Sequence, residues 1–404
     1  MTLRAILQAR LTERRERGLY RRLKTLEAAP SPGAVLDGRP MVAFSSNDYL
    51  GLATHPEVIA AQQEGARLGA GATASHLVNG HFGIHEQLQD ALAAATGREA
   101  ALVFSSGYAA NMGAICALIG RGDSIVSDKL NHASLIDGAR LSRAESLRFA
   151  HSDTGALARQ LARAATAGGN TLVAVDGVYS MDGDCAPLAE IAQLCREHDA
   201  WLMVDEAHGF GVMGSEALPV AGSAAAAGLG EEEVPVLMGT LGKAAGNAGA
   251  FVAGSRELID YLVQFARTYI YTTGMPPAVA AGALAAVRVM QRKPELRQCL
   301  QDNIAHFRRG AAERGLPLCD SASPIQPLLL GCEQTVMSVA AELASRGFLV
   351  GAIRPPTVPA GTARLRITLS AAHTAAQIDA LLDALGTALT GTLCGEGAAR
   401  EVSP

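Results

Sequence analysis

Short apolar segments alternate with helical segments between residues 100 and 254, and this alternation limits the folds open to the chain. The predicted strands are residues 100–104, 125–127, 147–150, 171–175, 201–204, 234–238 and 248–253. They are apolar along most of their length, as strands are when helices cover both faces of a parallel sheet. We therefore expect an α/β fold in which helices sandwich a mostly parallel sheet.

The pattern differs on either side of this region. Residues 3–27 are predicted as one helix with a leucine-rich and an arginine-rich side, within an N-terminal helix and arm spanning 1–45. Strands are predicted again near residues 325–330, 348–353 and 364–369, among helices. We expect a large α/β domain over 46–280 and a small C-terminal α+β domain over 281–404.

Bulk properties exclude several classes of partner. The formal net charge of −5 gives no indication of nucleic acid, and no apolar run reaches the roughly 18 residues of a membrane span. The seven cysteines are scattered and form no C-x-x-C pair, which favours a reduced, cytoplasmic protein without a zinc site. His81 and His85 are four residues apart, but the order H-E-x-x-H is absent and we expect no metal there.

Polar residues follow the predicted strands at the points where these end. They are Gly107, Tyr108, His132, Ser180, Asp205, His208, Thr240 and Lys243. Open α/β sheets bind ligands outside the carboxyl ends of their strands, so we expect these residues to share one site. Taken singly, each is better explained by a turn, a cap or an ordinary loop residue, and only their joint placement points to a site.

Lys243 lies in an unusual setting. It is the only charge between residues 234 and 255, and glycine and alanine surround it. Desolvation disfavours the ammonium form and leaves more of the amine that attacks carbonyl groups. A solvated loop lysine is the better explanation of this stretch alone, whereas a Schiff-base lysine explains it together with the other strand ends.

The common motifs of other catalytic classes are absent. The chain has no G-x-x-x-x-G-K-[ST], no dinucleotide fingerprint and no G-x-S-x-G nucleophile elbow. Pyridoxal phosphate instead needs a Schiff-base lysine, an acid for the pyridine nitrogen and a phosphate cradle. Lys243, Asp205 and the Gly107-Tyr108 turn with Thr240 supply these three, and the nearby histidines are candidates for the phenolic oxygen and for stacking on the ring.

Several motifs carry a family resemblance. They are S-S-N-D-Y-L-G-L (45–52), S-S-G-Y-A-A-N (105–111), N-H-A-S-L (131–135), V-Y-S-M-D-G-D (178–184), D-E-A-H-G (205–209), T-L-G-K-A-A-G (240–246) and I-Y-T-T (270–273). Together they resemble the α-oxoamine synthases, a family of fold-type I pyridoxal phosphate enzymes, over about residues 3–390. Asp176 departs from the family pattern, which has Glu in many relatives, and this leaves the role of its carboxylate open.

The resemblance implies a role for each site residue. Lys243 would form the Schiff base, His132 would stack on the cofactor ring, Asp205 would pair with the ring nitrogen, and His208 and Ser180 would contact the phenolic oxygen. The cofactor phosphate would be held by Gly107, Tyr108 and Thr240, and by Thr272 and Thr273 of the partner subunit. Arg366 would bind the amino acid carboxylate, and the path of the acyl substrate would be lined by Arg21, Asn47 and Thr357. Lys243, once freed, would also be the base for the Cα proton. Arg354 and Arg364 are equally well explained as structural strand arginines.

The resemblance also implies a reaction. Residues 353–368 are similar to the subgroup that joins L-alanine to a pimeloyl thioester, on CoA or acyl carrier protein, in biotin synthesis. We expect a cytoplasmic homodimer with its active site at the subunit interface. Sister reactions, such as those of glycine C-acetyltransferase and 5-aminolevulinate synthase, use the same catalytic residues and stay open. A non-catalytic binding subunit and a nucleotide-binding protein are hypotheses from different functional classes that also stay open.

Overall fold

The computed structural model describes residues 1–17, 19–21, 23–27 and 32–400, with side chains described up to residue 390. The strands are β1 (Gly33–Leu36), β2 (Arg39–Phe44), β3 (Ala100–Phe104), β4 (Ser124–Asp128), β5 (Glu145–Phe149), β6 (Thr171–Asp176), β7 (Trp201–Asp205), β8 (Val236–Thr240), β9 (Ala250–Gly254), β10 (Ile325–Gly331), β11 (Phe348–Ile353) and β12 (Ala363–Thr368). The helices are α1 (Leu3–Glu16), α2 (Pro56–Gly65), α3 (Gly83–Thr96), α4 (Gly107–Leu118), α5 (Ala133–Ser142), α6 (Thr154–Ala167), α7 (Leu188–Glu197), α8 (Ser223–Ala226), α9 (Arg256–Phe265), α10 (Arg267–Ile270), α11 (Pro277–Arg292), α12 (Pro294–Glu313), α13 (Glu333–Ser345) and α14 (Ala375–Arg400).

The larger sheet has seven strands in the order β3-β9-β8-β7-β6-β4-β5. From β8 to β5 the strands are parallel, while β9 runs antiparallel to both β3 and β8. The sheet is therefore mostly parallel, and the predicted fold class is confirmed.

Neighbouring residues of these strands face opposite sides of the sheet and join two separate apolar clusters. Val103 and Val126 belong to one cluster, and Leu102 and Ile125 belong to the other. Burying a side chain of this size stabilises the fold by roughly 1.5–3 kcal/mol. Burial on both faces of the sheet explains why the strands are apolar along most of their length. It also fixes the positions of the strand ends, which are followed by the polar residues of the predicted site.

The smaller sheet has the order β1-β2-β11-β12-β10. Strand β2 is parallel to β11, so the N-terminal segment and the C-terminal segment share one layer. Helix α11 packs against α2 and α3, although the boundary that we predicted after residue 280 assigns most of it to the small domain. A Cβ at Gly65 of α2 would lie only 2.6 Å from the Cβ of Ala281 on α11, so this close approach needs glycine. The division into regions 1–45, 46–280 and 281–404 stays a prediction.

The N-terminal helix is shorter than predicted. Helix α1 ends at Glu16, and Leu26 forms an antiparallel bridge with Leu36 of β1. The predicted helix over 3–27 is wrong beyond Glu16, because this pairing needs an extended backbone. The leucine spacing continues the helical pattern, but the contact with β1 overrides that local preference.

Within the described residues, no helix combines the length and the apolar character needed to cross a membrane. The cysteines whose side chains the structure describes are all free thiols.

Candidate active site

The carboxyl ends of the central strands surround a cavity of about 180 Å³. Its lining contains Gly107, Tyr108, Asn111, His132, Ser134, Asp176, Asp205, Ala207, His208, Met238, Thr240 and Lys243. Seven of these were predicted as site residues. The other predicted residues, Ser180, Asn47, Arg366, Arg21, Thr357, Thr272 and Thr273, lie outside this lining.

Lys243 is half-buried in a tight loop between β8 and β9, where its neighbours Ala244 and Ala245 are fully buried. Its Nζ lies 2.8 Å from Nε2 of His208. Burial lowers the pKa of Lys243 to about 8, and the carboxylates of Asp205 and Asp176 limit the fall. About a tenth of this amine is therefore unprotonated at pH 7, far more than for a lysine of ordinary pKa, and the unprotonated form is the one that attacks a carbonyl carbon.

A chain of hydrogen bonds runs from His208 to the smaller sheet. His208 Nδ1 lies 2.5 Å from Tyr49 Oη, which donates to Asn47 Oδ1 at 3.2 Å. Both terminal nitrogens of Arg366 also donate to Asn47 Oδ1 at 3.2 Å. If Lys243 donates to His208 Nε2, each of these groups has a consistent donor or acceptor role. Burial, followed by the charge of Lys243, lowers the pKa of His208 well below its usual value, so His208 is neutral.

Asp205 is held in place from two sides. Its Oδ1 accepts from the backbone amide of Ala207 at 2.8 Å, and its Oδ2 accepts from Asn111 Nδ2 at 2.7 Å. Asn111 Nδ2 also donates to Ser134 Oγ at 2.8 Å, and Ser134 Oγ lies 2.7 Å from His132 Nδ1. Asn111 therefore connects the predicted partner of the ring nitrogen with the predicted stacking histidine.

Sequence reasoning gave no role to Asn111, Ser134 or Tyr49. Asn111 lies four residues after Gly107 in α4, on the same helical face as the expected phosphate cradle. That spacing was a usable signal, as was the place of Asn111 and Tyr49 within family motifs. Tyr49 contacts His208 across 159 residues, a pairing that no local pattern predicts.

The expected phosphate cradle lies at the start of α4. Ser106 caps this helix by accepting from the amide of Ala109 at 3.2 Å. The first amides of the helix, at Gly107 and Tyr108, border the cavity and have no acceptor within the helix, which favours an anion there. The hydroxyl of Thr240 donates to Gly249 O at 3.0 Å in this structure, so its contact with phosphate stays a prediction.

These groups fit pyridoxal phosphate. The amine of Lys243, the carboxylate of Asp205, the neutral imidazole of His208 and the N-terminus of α4 border one cavity. They suit the aldehyde, the ring nitrogen, the phenolic oxygen and the phosphate of that cofactor, respectively.

Ser180 and Arg366 meet where the two sheets join. Arg366 Nε donates to the backbone carbonyl of Ser180 at 2.6 Å, and the nearby Arg364 pairs with Asp182. Arg364 is therefore engaged in linking β12 to the loop after β6. The predicted contact of Ser180 with the cofactor is untested.

Arg21 and Thr357 lie in a different and larger cavity of about 680 Å³. Tyr20, Lys24 and Arg354 also line it, together with residues of β11 and α13. Thr272 and Thr273 lie just after α10 and outside the lining of both cavities of their own chain.

Three histidines cluster near the start of α3. His76, His81 and His85 each offer a ligand atom within 4.8 Å of the others, although we expected no metal here. His76 Nδ1 lies 2.8 Å from His81 Nδ1, and His81 Nε2 lies 2.6 Å from Glu86 Oε1. The remaining ring nitrogens contact the backbone of Met275 or the amide of Phe82, the N-cap residue of α3. Each ring nitrogen thus has a protein partner, which disfavours metal binding.

Comparisons with known proteins agree with this geometry. The model of the family "Aminotransferase class I and II" matches residues 39–385. An 8-amino-7-oxononanoate synthase from Cellvibrio japonicus (strain Ueda107) is 56% identical over 387 residues, which cover 96% of each chain. A structure of serine palmitoyltransferase from S. paucimobilis with a bound PLP–myriocin aldimine has a TM-score of 0.89 at 32% identity, covering 96% of this chain and 98% of that one. The structure of 8-amino-7-oxononanoate synthase from Francisella tularensis has a TM-score of 0.75 at 28% identity, covering 87% and 99%.

Proposed function

The chain belongs to the aminotransferase class I and II family, and we propose that it condenses L-alanine with a pimeloyl thioester, releasing carbon dioxide, a free thiol and 8-amino-7-oxononanoate. The observation that carries this is the 56% identity to the Cellvibrio synthase over nearly the whole of both chains. The enzyme is a pyridoxal phosphate-dependent acyltransferase of biotin biosynthesis, so the predicted family, reaction and cofactor are confirmed.

We assign the proton-handling roles to the residues that border the smaller cavity. When bound, pyridoxal phosphate supplies an electron sink for the charge left at the Cα of alanine. Lys243, with its lowered pKa, is the base for the Cα proton. Asp205, fixed by Asn111 and the Ala207 amide, holds a proton on the ring nitrogen. His208 orients the Lys243 amine through their 2.8 Å contact.

The substrates occupy neighbouring positions in this proposal. Arg366 binds the carboxylate of alanine, because it is a buried cation connected to Lys243 through Asn47, Tyr49 and His208. Pimeloyl carries a free carboxylate at the far end of its chain. Arg21 and Lys24 give the larger cavity positive charge, which suits an acidic acyl donor or the phosphates of its carrier, and Thr357 lines the same cavity.

We also propose that the enzyme is a homodimer. Helix α1 has no buried residue, and Leu3, Leu7 and Leu11 are exposed along it. Val78 and Tyr271 are more than two-thirds exposed. A second copy of the chain would bury such apolar surface and would bring Thr272 and Thr273 to the phosphate of its partner. The free cysteines suit a cytoplasmic enzyme.

A substrate panel tests the reaction. Purified enzyme with pyridoxal phosphate is given L-alanine or glycine, each with pimeloyl-CoA, pimeloyl-acyl carrier protein, acetyl-CoA, succinyl-CoA or palmitoyl-CoA, and thiol release is followed. We expect turnover with alanine and a pimeloyl donor. Turnover confined to glycine with acetyl-CoA would contradict the proposal. The Lys243→Ala variant should lose on the order of 10³-fold in rate, and Lys129→Ala, at an exposed lysine outside the site, is its control.

A further inference from the structure

Asp176 lies directly beside Asp205. The two carboxylates end neighbouring parallel strands, are paired in register, and are only 3% and 2% exposed. Asp176 Oδ2 accepts a hydrogen bond of 2.7 Å from the backbone amide of His132. Nothing in the reaction described above uses this second carboxylate.

We propose that Asp176 is a positioning residue that holds the His132 backbone, and thereby sets where the His132 imidazole lies against the bound cofactor. This inference rests on the proposed role of pyridoxal phosphate. It gives Asp176 a function distinct from that of Asp205, to which we assign the ring nitrogen.

The position of the His132 imidazole depends on where the His132 backbone is held, because the contacts of its ring are local. The residue caps α5, and its ring nitrogen Nδ1 lies 2.7 Å from Ser134 Oγ, only two residues away. The Tyr108 ring is edge-on to it, with 6.4 Å between the ring centroids. The 2.7 Å bond to Asp176 ties this turn to the central sheet, so it fixes the imidazole relative to Asp205 and Lys243.

The matched substitution for Asp176 must keep the oxygen that accepts from the His132 amide. Burial, followed by the charge of Asp205, raises the pKa of Asp176 well above its usual value, while the His132 amide and the charge of Lys243 oppose this rise. The contact with the His132 amide uses a single carboxyl oxygen, Oδ2. Asparagine offers the same acceptor oxygen in nearly the same volume, whereas alanine offers none.

The test compares Asp176→Asn with Asp176→Ala in the holoenzyme. We measure the visible circular dichroism of bound cofactor, which reports its orientation, together with kcat and the KM for alanine. Asp176→Ala should weaken the visible signal and lower kcat about ten-fold, the loss expected for one hydrogen bond. Asp176→Asn should recover most of the signal and most of the lost kcat. A purely structural role would lower the amount of folded protein in both variants and leave the signal per bound cofactor unchanged.

Two results would overturn the inference: a wild-type visible signal and kcat in Asp176→Ala, or an Asp176→Asn variant as impaired as Asp176→Ala. The second would mean that an ionised carboxylate is needed. If Asp176→Ala does not fold, Asp176→Ser, whose hydroxyl is too short for the His132 amide, replaces it with the same expected outcome. Cofactor binding and product formation by the wild-type enzyme test the proposed function separately.

Discussion

Lys243 shows how position sets chemistry at the scale of one residue. The same side chain on the surface would be an ammonium ion at neutral pH. Here burial lowers its pKa to about 8, and His208 Nε2 lies 2.8 Å away as an acceptor for one of its protons. The neighbouring acids keep the amine from losing its charge altogether, so both forms are present near neutral pH.

The pH dependence of cofactor uptake follows from this pKa. Only the unprotonated amine attacks the cofactor aldehyde, so the uptake rate of cofactor-free enzyme should rise with pH and level off above about 8. Stopped-flow absorbance at saturating pyridoxal phosphate measures this rate, and far-ultraviolet circular dichroism checks that the protein stays folded. A rate that rises only as pH nears 10.5, the ordinary pKa of lysine, would contradict the account.

At the scale of elements, His151 ties together the loops that follow β4, β5 and β6. Its Nδ1 lies 3.1 Å from Asp128 and its Nε2 lies 2.8 Å from Asp184. Burial opposes the charged form of His151, but the hydrogen bonds to Asp128 and Asp184 outweigh it and raise its pKa to about 10. These loops also contain His132 and Ser180, so His151 stabilises the loops that carry two of the predicted site residues.

The stability of the protein should therefore depend on pH through His151. The pKa is raised on folding, so this contribution is fully present below the unfolded value of about 6.5 and is lost as pH rises through about 10. At pH 7, His151→Ala should cost on the order of 1–2 kcal/mol of unfolding free energy, because partial exposure to solvent screens the ion pairs. Urea unfolding at pH 7 and pH 10 measures it. A cost that is equal at both pH values would refute the ion-pair explanation.

Helix packing gives a second prediction at this scale. Gly65 lets α11 approach α2, because its Cβ position lies 2.6 Å from the Cβ of Ala281. Gly65→Ala should destabilise the protein by about 1–3 kcal/mol through overpacking. The control is Gly386→Ala on α14, where nothing lies within 4 Å and alanine should be neutral or stabilising. Equal unfolding temperatures for the two variants would show that the α2–α11 contact is not tight.

The elements themselves were largely predictable from local signals. Strand β3 has the predicted bounds because its five residues are all buried and apolar. Strand β1 was not predicted, because its four residues gain stability from pairing with β2 and not from their own pattern. Site contacts across long sequence distances, such as Tyr49 with His208 or Arg366 with Asn47, depend on tertiary packing and leave no periodic signal.

At the scale of the whole molecule, the site lies where the two sheets meet. The larger sheet supplies Lys243 and Asp205, and the smaller sheet supplies Arg366 through β12. The bond from Arg366 Nε to the Ser180 carbonyl joins them directly. In the proposed function, the base for the Cα proton and the arginine that binds the carboxylate of alanine are thereby held on two separate layers.

The proposed dimer gives a prediction that no single chain can satisfy. The Lys243→Ala variant lacks the amine in its own site. In a Thr272→Ala/Thr273→Ala variant, each subunit should fail to supply the two threonine contacts to the cofactor phosphate in the site of its partner. Unfolding and refolding the two variants together should restore turnover, because one site of each mixed dimer receives every native residue. Mixing without refolding is the control. An absence of recovery in a sample shown to contain mixed dimers would place both threonines outside the partner's site.

The residue that binds the cofactor can be located directly on the chain. The holoenzyme is reduced with borohydride, digested, and mapped by mass spectrometry, with Lys243→Ala treated in parallel. We expect one pyridoxyl-modified peptide, carrying its label on Lys243, and no labelled peptide in the variant. A label on another lysine, or none in the wild-type enzyme, would contradict this assignment.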